Sequence, residues 1–183
     1  MKKKLYALVL VVTMVVSMFG CGKEVTATPD EKGNYVVNGG FEDLELTGWT
    51  LNNVNNVTEE LDLYTRETDC YDGVQSLHFY SGSNNVDFTA EQTIEGLEAG
   101  TYKLTGWAQG DTAGDANSSI YFYVTVNGET YKAETMLTGY VAWNCGEVGG
   151  ITLTEKSDVI VGVCVKNAKG GWGTIDTISL TRE

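Results

Sequence analysis

The feature that most constrains the fold of this chain is a series of short segments in which apolar and polar side chains alternate. In residues 119–126 the even positions are aliphatic or Phe, and the odd positions are Ser, Tyr or Thr. Successive side chains of a strand point to opposite faces, so this pattern predicts a strand with one buried face. Asn127-Gly128 follows, and this pair is typical of a tight hairpin turn.

Ten such segments are predicted, and no stretch has apolar residues at helical spacing over three turns. The 22 Gly and 10 Tyr residues fit many short strands joined by turns. The chain is therefore predicted to form an all-β sandwich. The predicted strands are residues 35–37, 49–51, 76–81, 87–94, 100–110, 119–126, 129–135, 149–153, 159–165 and 173–181.

In three predicted strands, aromatic and amide side chains occupy the alternate positions opposite the apolar ones. We expect these side chains to share one outer face. Aromatic rings cover the apolar C–H faces of sugars, while amides and carboxylates pair with their hydroxyls. This composition favours polysaccharide binding. Two alternatives remain: aromatic residues also suit strands for packing alone, and a bulge could turn Trp107 into the core. The side chains are Trp107, Gln109, Tyr121, Tyr123, His78 and Tyr80.

The N-terminus has the pattern of an export signal. Three lysines at 2–4 precede an apolar run at 5–19, which is short for a membrane-spanning helix. The run ends at Gly20-Cys21, which resembles a bacterial lipobox, with ordinary secretion as the alternative. We therefore predict a lipoprotein signal peptide (1–20), a lipidated Cys21 with a flexible tether (21–33), and a β-sandwich domain (34–183). The protein would be exported and held on the outside of the cell membrane by lipid alone.

Charge and cysteine content exclude several classes of function. The formal net charge is −13, and nucleic acid binding needs Lys and Arg to displace counterions from phosphates. Beyond Cys21 there are three cysteines, with no C-x-x-C pair and a single histidine, so no zinc site is indicated. Either one disulfide forms, with Cys70–Cys145 the best pairing, or Cys70, Cys145 and Cys164 are all small buried residues.

Four motifs resemble those of galactose-binding-domain-like carbohydrate-binding modules, which are jelly-roll sandwiches of two antiparallel sheets. They are VNGGFEDLELTGWT (37–50), YDGVQSLHFY (71–80), EQTIEGLEAGTYKLTGWAQG (91–110) and GGWGTIDTISL (170–180). The motifs occur in the same order as in the family, and together they extend over residues 35–182. Trp143, and Trp172 before Ile175-Asp176, resemble features of family 61, the modules attached to arabinogalactan endo-β-1,4-galactanases. This resemblance implies a ligand of the β-1,4-galactan type.

The resemblance also implies site residues. Trp143 with Asn144, and Trp172 among glycines, are expected to contact the glycan together with Trp107. Trp49 is expected to pack in the core. A structural Ca²⁺ is implied, since the family often holds one between its first and last strands, and calcium prefers oxygen ligands. The implied ligands are Glu42 and Asp176 through side chains, with Asn38 and Gly73 as carbonyl donors; Thr177 stands where the family often has a second Asp. The alternative is that Glu42 and Asp176 only accept hydrogen bonds from the backbone of turns.

The leading hypothesis is therefore a non-catalytic glycan-binding module. Glycosidases need two carboxylates placed across a bond, and no motif places such a pair here. There is no G-x-S-x-G and no phosphate-binding loop, and a galactanase barrel would need about 250 residues. The alternatives are an adhesion or structural surface module and, less favoured, a small jelly-roll hydrolase or lyase.

Overall fold

The computed structural model describes residues 23–53 and 61–183, which form eleven strands and one short 3₁₀-helix, Glu67–Asp69. The predicted signal peptide and Cys21 lie outside these residues. Within the described ranges, no helix is long and apolar enough to cross a membrane. The strands are β1 (Lys23–Thr26), β2 (Thr50–Asn53), β3 (Leu61–Tyr64), β4 (Ser76–Tyr80), β5 (Val86–Leu97), β6 (Gly100–Asp111), β7 (Ser119–Val126), β8 (Glu129–Thr135), β9 (Gly139–Leu153), β10 (Ser157–Asn167) and β11 (Trp172–Arg182).

The strands form two sheets that pack face to face. The sheet we call the back sheet has the order β1-β5-β10-β7-β8, with β2 also paired to β5. The front sheet has the order β3-β4-β11-β6-β9. Neighbouring strands are antiparallel except β1, which is parallel to β5. The predicted jelly-roll sandwich of two antiparallel sheets is confirmed.

The core lies between the sheets and contains the residues that alternation predicted. On β6 the buried apolar side chains are those of Tyr102, Leu104 and Ala108, and on β7 they include Phe122. The ring of Phe122 reaches across to the front sheet, where it contacts the paired glycines Gly106 and Gly146. Burying such a ring contributes about 2–3 kcal/mol, so this packing fixes which faces of β6 and β9 point to solvent.

The Asn127-Gly128 turn is confirmed as a hairpin between β7 and β8. Both residues have positive φ (51° and 81°), the conformation that a two-residue hairpin of this kind requires. The turn therefore sets the register in which Ile120 lies opposite Thr135 and Val126 opposite Glu129.

Some predicted boundaries are wrong. Residues 35–37 form no strand. The neighbouring Asn34 makes an isolated bridge to Thr181, and this pairing does not continue into residues 35–37. The segment 21–33, predicted as a flexible tether, contains strand β1. This strand is held in place because it pairs with β5 and because Val25 and Ala27 pack against the core. β9 begins ten residues before the predicted strand 149–153.

Candidate functional site

The outer face of the front sheet carries a cluster of aromatic side chains that we call the aromatic face. On β6, Trp107 points outward because its neighbours Gly106 and Ala108 face the core. Cys145 lies opposite Trp107, which places Trp143 of β9 on the same side. Trp172 of β11 lies opposite Asp111 and is part of this face as well. The aromatic face consists of Tyr71, Trp107, Trp143, Tyr140 and Trp172.

Three of these rings form what we call the Trp107 group. Tyr71 is stacked on Trp107 with ring centroids 4.0 Å apart and planes inclined by 12°. Trp143 meets Tyr71 edge-on, at 5.7 Å and 67°. Tyr71 is 42% exposed, so the outermost ring of the stack is Tyr71 and not the predicted Trp107.

The other two rings form the Trp172 group. Tyr140 and Trp172 lie 6.0 Å apart with planes inclined by 59°, and Tyr140 is 51% exposed. Tyr80 of β4 lies opposite Trp172 and is also exposed. Aromatic surface therefore continues across three strands, β9, β11 and β4.

The segment 65–75 lies over the front sheet and brings Tyr71 to Trp107. The 3₁₀-helix compacts its first half, and Ser76 Oγ donates a hydrogen bond to the Asp69 carbonyl at 2.6 Å. The hydroxyls of Thr68 and Tyr140 are hydrogen-bonded at 2.5 Å. The segment is thus tied to β4 and to β9.

Gln109, predicted to contact a ligand, is fully buried beneath this segment. Its Nε2 donates to the Thr68 carbonyl at 2.9 Å, and its Oε1 accepts from the Val141 N–H at 2.5 Å. The side chain therefore joins two parts of the main chain and presents no surface to solvent.

His78, also a predicted contact, is buried at the β3 side of the front sheet. Its ring stacks on Tyr64 at 3.6 Å, and Nδ1 and Asp62 Oδ1 are hydrogen-bonded at 2.6 Å. These partners engage Nδ1 and one face of the ring, and only 7% of the residue is exposed, so His78 has little surface with which to contact a glycan.

Asn144, the predicted neighbour of Trp143, makes local contacts. Its Nδ2 donates to Thr138 Oγ1 at 2.8 Å and to the Ala142 carbonyl at 2.9 Å. It is half-buried within β9, next in sequence to Trp143 of the Trp107 group.

The prediction that Tyr121 and Tyr123 share a face with Trp107 is wrong, because β7 belongs to the back sheet. Tyr123 is 7% exposed, and its hydroxyl donates to Glu91; burial, with this hydrogen bond, raises its pKa. Tyr121 lies under Lys132, whose Nζ is 4.7 Å from the ring centroid. The side-chain hydrogen bond to Cys164 raises the pKa of Tyr121 to about 12. Alternation predicts which side chains of a strand share a face, but it does not show to which of the two sheets the strand belongs.

Asp176, a predicted calcium ligand, is fully buried beside the segment 65–75. Its Oδ2 accepts from the N–H groups of Tyr71 (2.7 Å) and Asp72 (3.2 Å). Its Oδ1 accepts from the N–H and the hydroxyl of Thr177 at 2.5 and 3.1 Å. Burial raises the pKa of Asp176 to about 6, despite the opposing effect of these hydrogen bonds. None of the ion pairs among the described residues involves it.

The carboxylates of Glu42 and Asp176 reach one point, beside Gly40. A Cβ built on Gly40 would lie 3.6 Å from Asp176 Oδ1 and 3.8 Å from Glu42 Oε1. Gly73 leaves room for the Glu42 carboxylate, which a side chain there would displace. Oxygen atoms in this arrangement suit a hard cation. In the described part of the chain, however, no group of three or more His, Cys, Asp and Glu residues converges.

Backbone donors already occupy part of this oxygen set. Glu42 Oε1 accepts from the N–H groups of Val74 (3.0 Å) and Gln75 (3.3 Å). The Asn38 carbonyl, a predicted ligand, accepts from Phe41 N–H and from Trp49 Nε1. The expected core position of Trp49 is confirmed, since the residue is buried and its ring lies 5.2 Å from Phe41.

The three cysteines are free thiols, so the structure supports the alternative without the Cys70–Cys145 bridge. Only Cys164 is buried, however, whereas Cys70 is intermediate and Cys145 exposed. Cys145 lies on β9, opposite Trp107. This position was not predicted from the sequence, because residues 136–148 were expected to form a loop.

Sequence reasoning missed Tyr71 and Tyr140. Tyr71 precedes Asp72-Gly73 in one of the quoted motifs, but nothing in that spacing shows that its ring lies on Trp107. Tyr140 lies in a stretch predicted as loop, where period-2 alternation is broken by the positive φ of Gly139 and Val141.

Comparison with solved structures places the chain among carbohydrate-binding modules. TmCBM61 in complex with β-1,4-galactotriose superposes with a TM-score of 0.72 at 25% identity, covering 82% of this chain and 99% of that one. A family 16 module has a TM-score of 0.59 at 18% identity, covering 81% and 100%. The C-terminal family 22 module of Clostridium thermocellum Xyn10B gives 0.55 at 15%, covering 85% and 96%. The last two show the shared fold.

No curated protein sequence matches the chain. Residues 33–145, more than half of the 183, match the family described as carbohydrate binding domain, CBM_4_9. The chain therefore belongs to this family of carbohydrate-binding domains, and it is a glycan-binding module without catalytic activity of its own.

Proposed function

We propose that the aromatic face is the glycan-binding site, with Tyr71, Trp143, Tyr140 and Trp172 as the contacting rings. The observation that carries this proposal is the exposure of two ring groups on one rigid sheet. A ring that covers roughly 100 Å² of sugar surface contributes on the order of 2.5 kcal/mol. Two or three such contacts, less the cost of lost freedom, give weak to moderate affinity.

We propose β-1,4-galactan or a related plant polysaccharide as the ligand. Support comes from the similarity to TmCBM61, which was crystallised with β-1,4-galactotriose. The ring planes support it as well. The proposed contact rings Tyr71 and Trp143 are inclined to each other by 67°, and Tyr140 and Trp172 by 59°, whereas a flat, ribbon-like chain would suit coplanar rings.

Affinity electrophoresis tests the site and the ligand together. In a panel of gels containing galactan, arabinogalactan, xylan or β-glucan, the gel with galactan should retard the protein most strongly. Trp143→Ala and Trp172→Ala should lose retardation. Tyr121→Ala is the matched control, because this ring lies on the back sheet. Retardation in none of the gels would favour an adhesion or structural module, and strong retardation in xylan alone would reject galactan.

We propose that Glu42 and Asp176 hold a structural Ca²⁺. Its support is the convergence of both carboxylates at Gly40 and the burial of Asp176 without a basic partner among the described residues. A bound cation would offset the cost of burying that carboxylate. Ca²⁺ should therefore raise the melting temperature of protein treated with a chelator, and Glu42→Gln should abolish the increase. Equal melting curves with and without Ca²⁺ would reject the proposal.

We further propose that the protein is exported and anchored through lipidated Cys21. The support is the basic, then apolar, then Gly20-Cys21 pattern of the first 21 residues. In bacterial cells fed a labelled fatty acid, the wild-type protein should carry label and partition into detergent. Cys21→Ala should do neither. Label on the Cys21→Ala variant would contradict this assignment.

A further inference from the structure

Gln109 is a buried side chain that joins the two chain segments carrying the exposed rings of the aromatic face. It has no exposed surface, and each of its terminal atoms bonds to main chain: Nε2 to the Thr68 carbonyl and Oε1 to the Val141 N–H. Thr68 lies in the 3₁₀-helix, and Val141 lies in the part of β9 where the pairing with β6 shifts register.

These two stretches contain the exposed aromatic residues. Thr68 lies three residues before Tyr71, and Val141 lies between Tyr140 and Trp143. The hydroxyls of Thr68 and Tyr140 make a second link between the stretches at 2.5 Å. The spacing of the Trp107 group from the Trp172 group therefore depends on how these stretches are held.

The Val141 stretch adopts a conformation that its own sequence disfavours. Val141 has a φ of 57°, which is an outlier for a β-branched residue and persists only where surrounding contacts impose it. The pairing of β6 with β9 also shifts register between Ala108 and Gly110. The bond from Val141 N–H to Gln109 Oε1 ties this residue to the buried interior of β6, beside the link between the Thr68 and Tyr140 hydroxyls.

We infer that Gln109 is a positioning residue, which never touches the glycan and instead sets the distance between the two ring groups before binding. The inference rests on the proposed function of the aromatic face. Preorganisation of this kind raises affinity because the free protein need not order its binding segments when the ligand arrives. Losing Gln109 should therefore weaken binding although every ring remains.

Gln92 supplies a matched control. It is also fully buried, and it also bonds to main chain through both terminal atoms: Oε1 accepts from Val37 N–H at 2.8 Å, and Nε2 donates to the Val37 carbonyl at 2.9 Å. Gln92 lies in β5 of the back sheet. Gln92→Met and Gln109→Met thus each remove two hydrogen bonds to main chain, one accepted and one donated, but in different sheets.

The test is isothermal calorimetry with β-1,4-galactotriose, well below the melting temperatures of both variants. Both substitutions should lower the melting temperature, but only Gln109→Met should weaken binding, by about tenfold or more, with the loss in the entropy of binding. Equal affinity of Gln109→Met, Gln92→Met and wild type would overturn the inference, while the effect of Trp143→Ala would still report on the proposed function.

A second variant keeps the test valid if Gln109→Met does not fold. Val141→Gly retains the N–H donor and relieves the unfavourable φ, but gives the stretch more freedom in the unbound protein. It should weaken galactotriose binding with little change in melting temperature. Unchanged affinity in Val141→Gly would count against the inference. Failure of wild type to bind any glycan would instead reject the proposed function, and the inference with it.

Discussion

Tyr71 lies flat on Trp107, with ring centroids 4.0 Å apart and planes only 12° from parallel. One residue comes from an irregular segment and the other from the middle of β6, 36 positions later in the chain. The pairing is maintained from below by Asp176, whose carboxylate accepts the Tyr71 N–H at 2.7 Å. Tyr71 is therefore a platform on a rigid support, with one face against protein and the other toward solvent.

Removing this ring should weaken glycan binding more than removing its hydroxyl. Tyr71→Ala loses a platform worth about 2 kcal/mol, which corresponds to roughly thirtyfold in Kd. Tyr71→Phe keeps the stacked ring and should stay close to wild type. Titration with galactotriose followed by tryptophan fluorescence measures both. Tighter binding by Tyr71→Ala would show that Tyr71 covers the site on Trp107 and does not form it.

The glycines opposite Phe122 should be intolerant of any side chain. A Cβ at Gly106 would collide with the Phe122 ring, which both sheets enclose. Gly106→Ala should therefore lower stability by about 1–3 kcal/mol, or roughly 3–10 °C in melting temperature. Gly149→Ala is the control: it is exposed on β9, with nothing within 4 Å of a new Cβ. Equal thermal denaturation curves for the two variants would contradict the packing described for Phe122.

Alternation predicted most strands and the faces of β6 and β7, because burial between two sheets imposes a strict period of two. It could not assign strands to sheets, which is why Tyr121 was grouped with Trp107. It also missed β1 and β3, since four residues such as Lys23–Thr26 hold too little apolar pattern. The position of Tyr71 depends on contacts with Asp176, which lies 105 residues away. No local pattern contains that information.

The cysteines should differ in reactivity according to burial. Of the three cysteines in the described residues, Cys145 is the exposed one and should react first with a disulfide reagent, although partial burial raises its pKa and slows the reaction. Cys164 is buried and should react only after denaturation. Cys145→Ser should remove the fast phase in a stopped-flow assay. If conjugation increased the mass of the native protein only after prior reduction, a Cys70–Cys145 bridge would be indicated instead.

The stability of calcium-free protein should rise on acidification, because of Asp176. Burial raises the pKa of this carboxyl from 3.8 to about 6 on folding, so between these values the folded state binds more protons than the unfolded state. Its contribution is fully present below about pH 3.8 and is lost as the pH rises through about 6. The two-unit shift corresponds to on the order of 3 kcal/mol.

Asp176→Asn separates this contribution from that of the many other carboxylates. The variant loses the titration but also loses hydrogen-bond acceptance at one atom, so its absolute stability should be lower at every pH. The comparison is therefore between slopes: urea denaturation in the presence of a chelator should show a flatter dependence between pH 4 and 6 for the variant. Parallel curves would mean that Asp176 keeps its ordinary pKa in the folded protein, and that its four hydrogen-bond donors offset the cost of its burial.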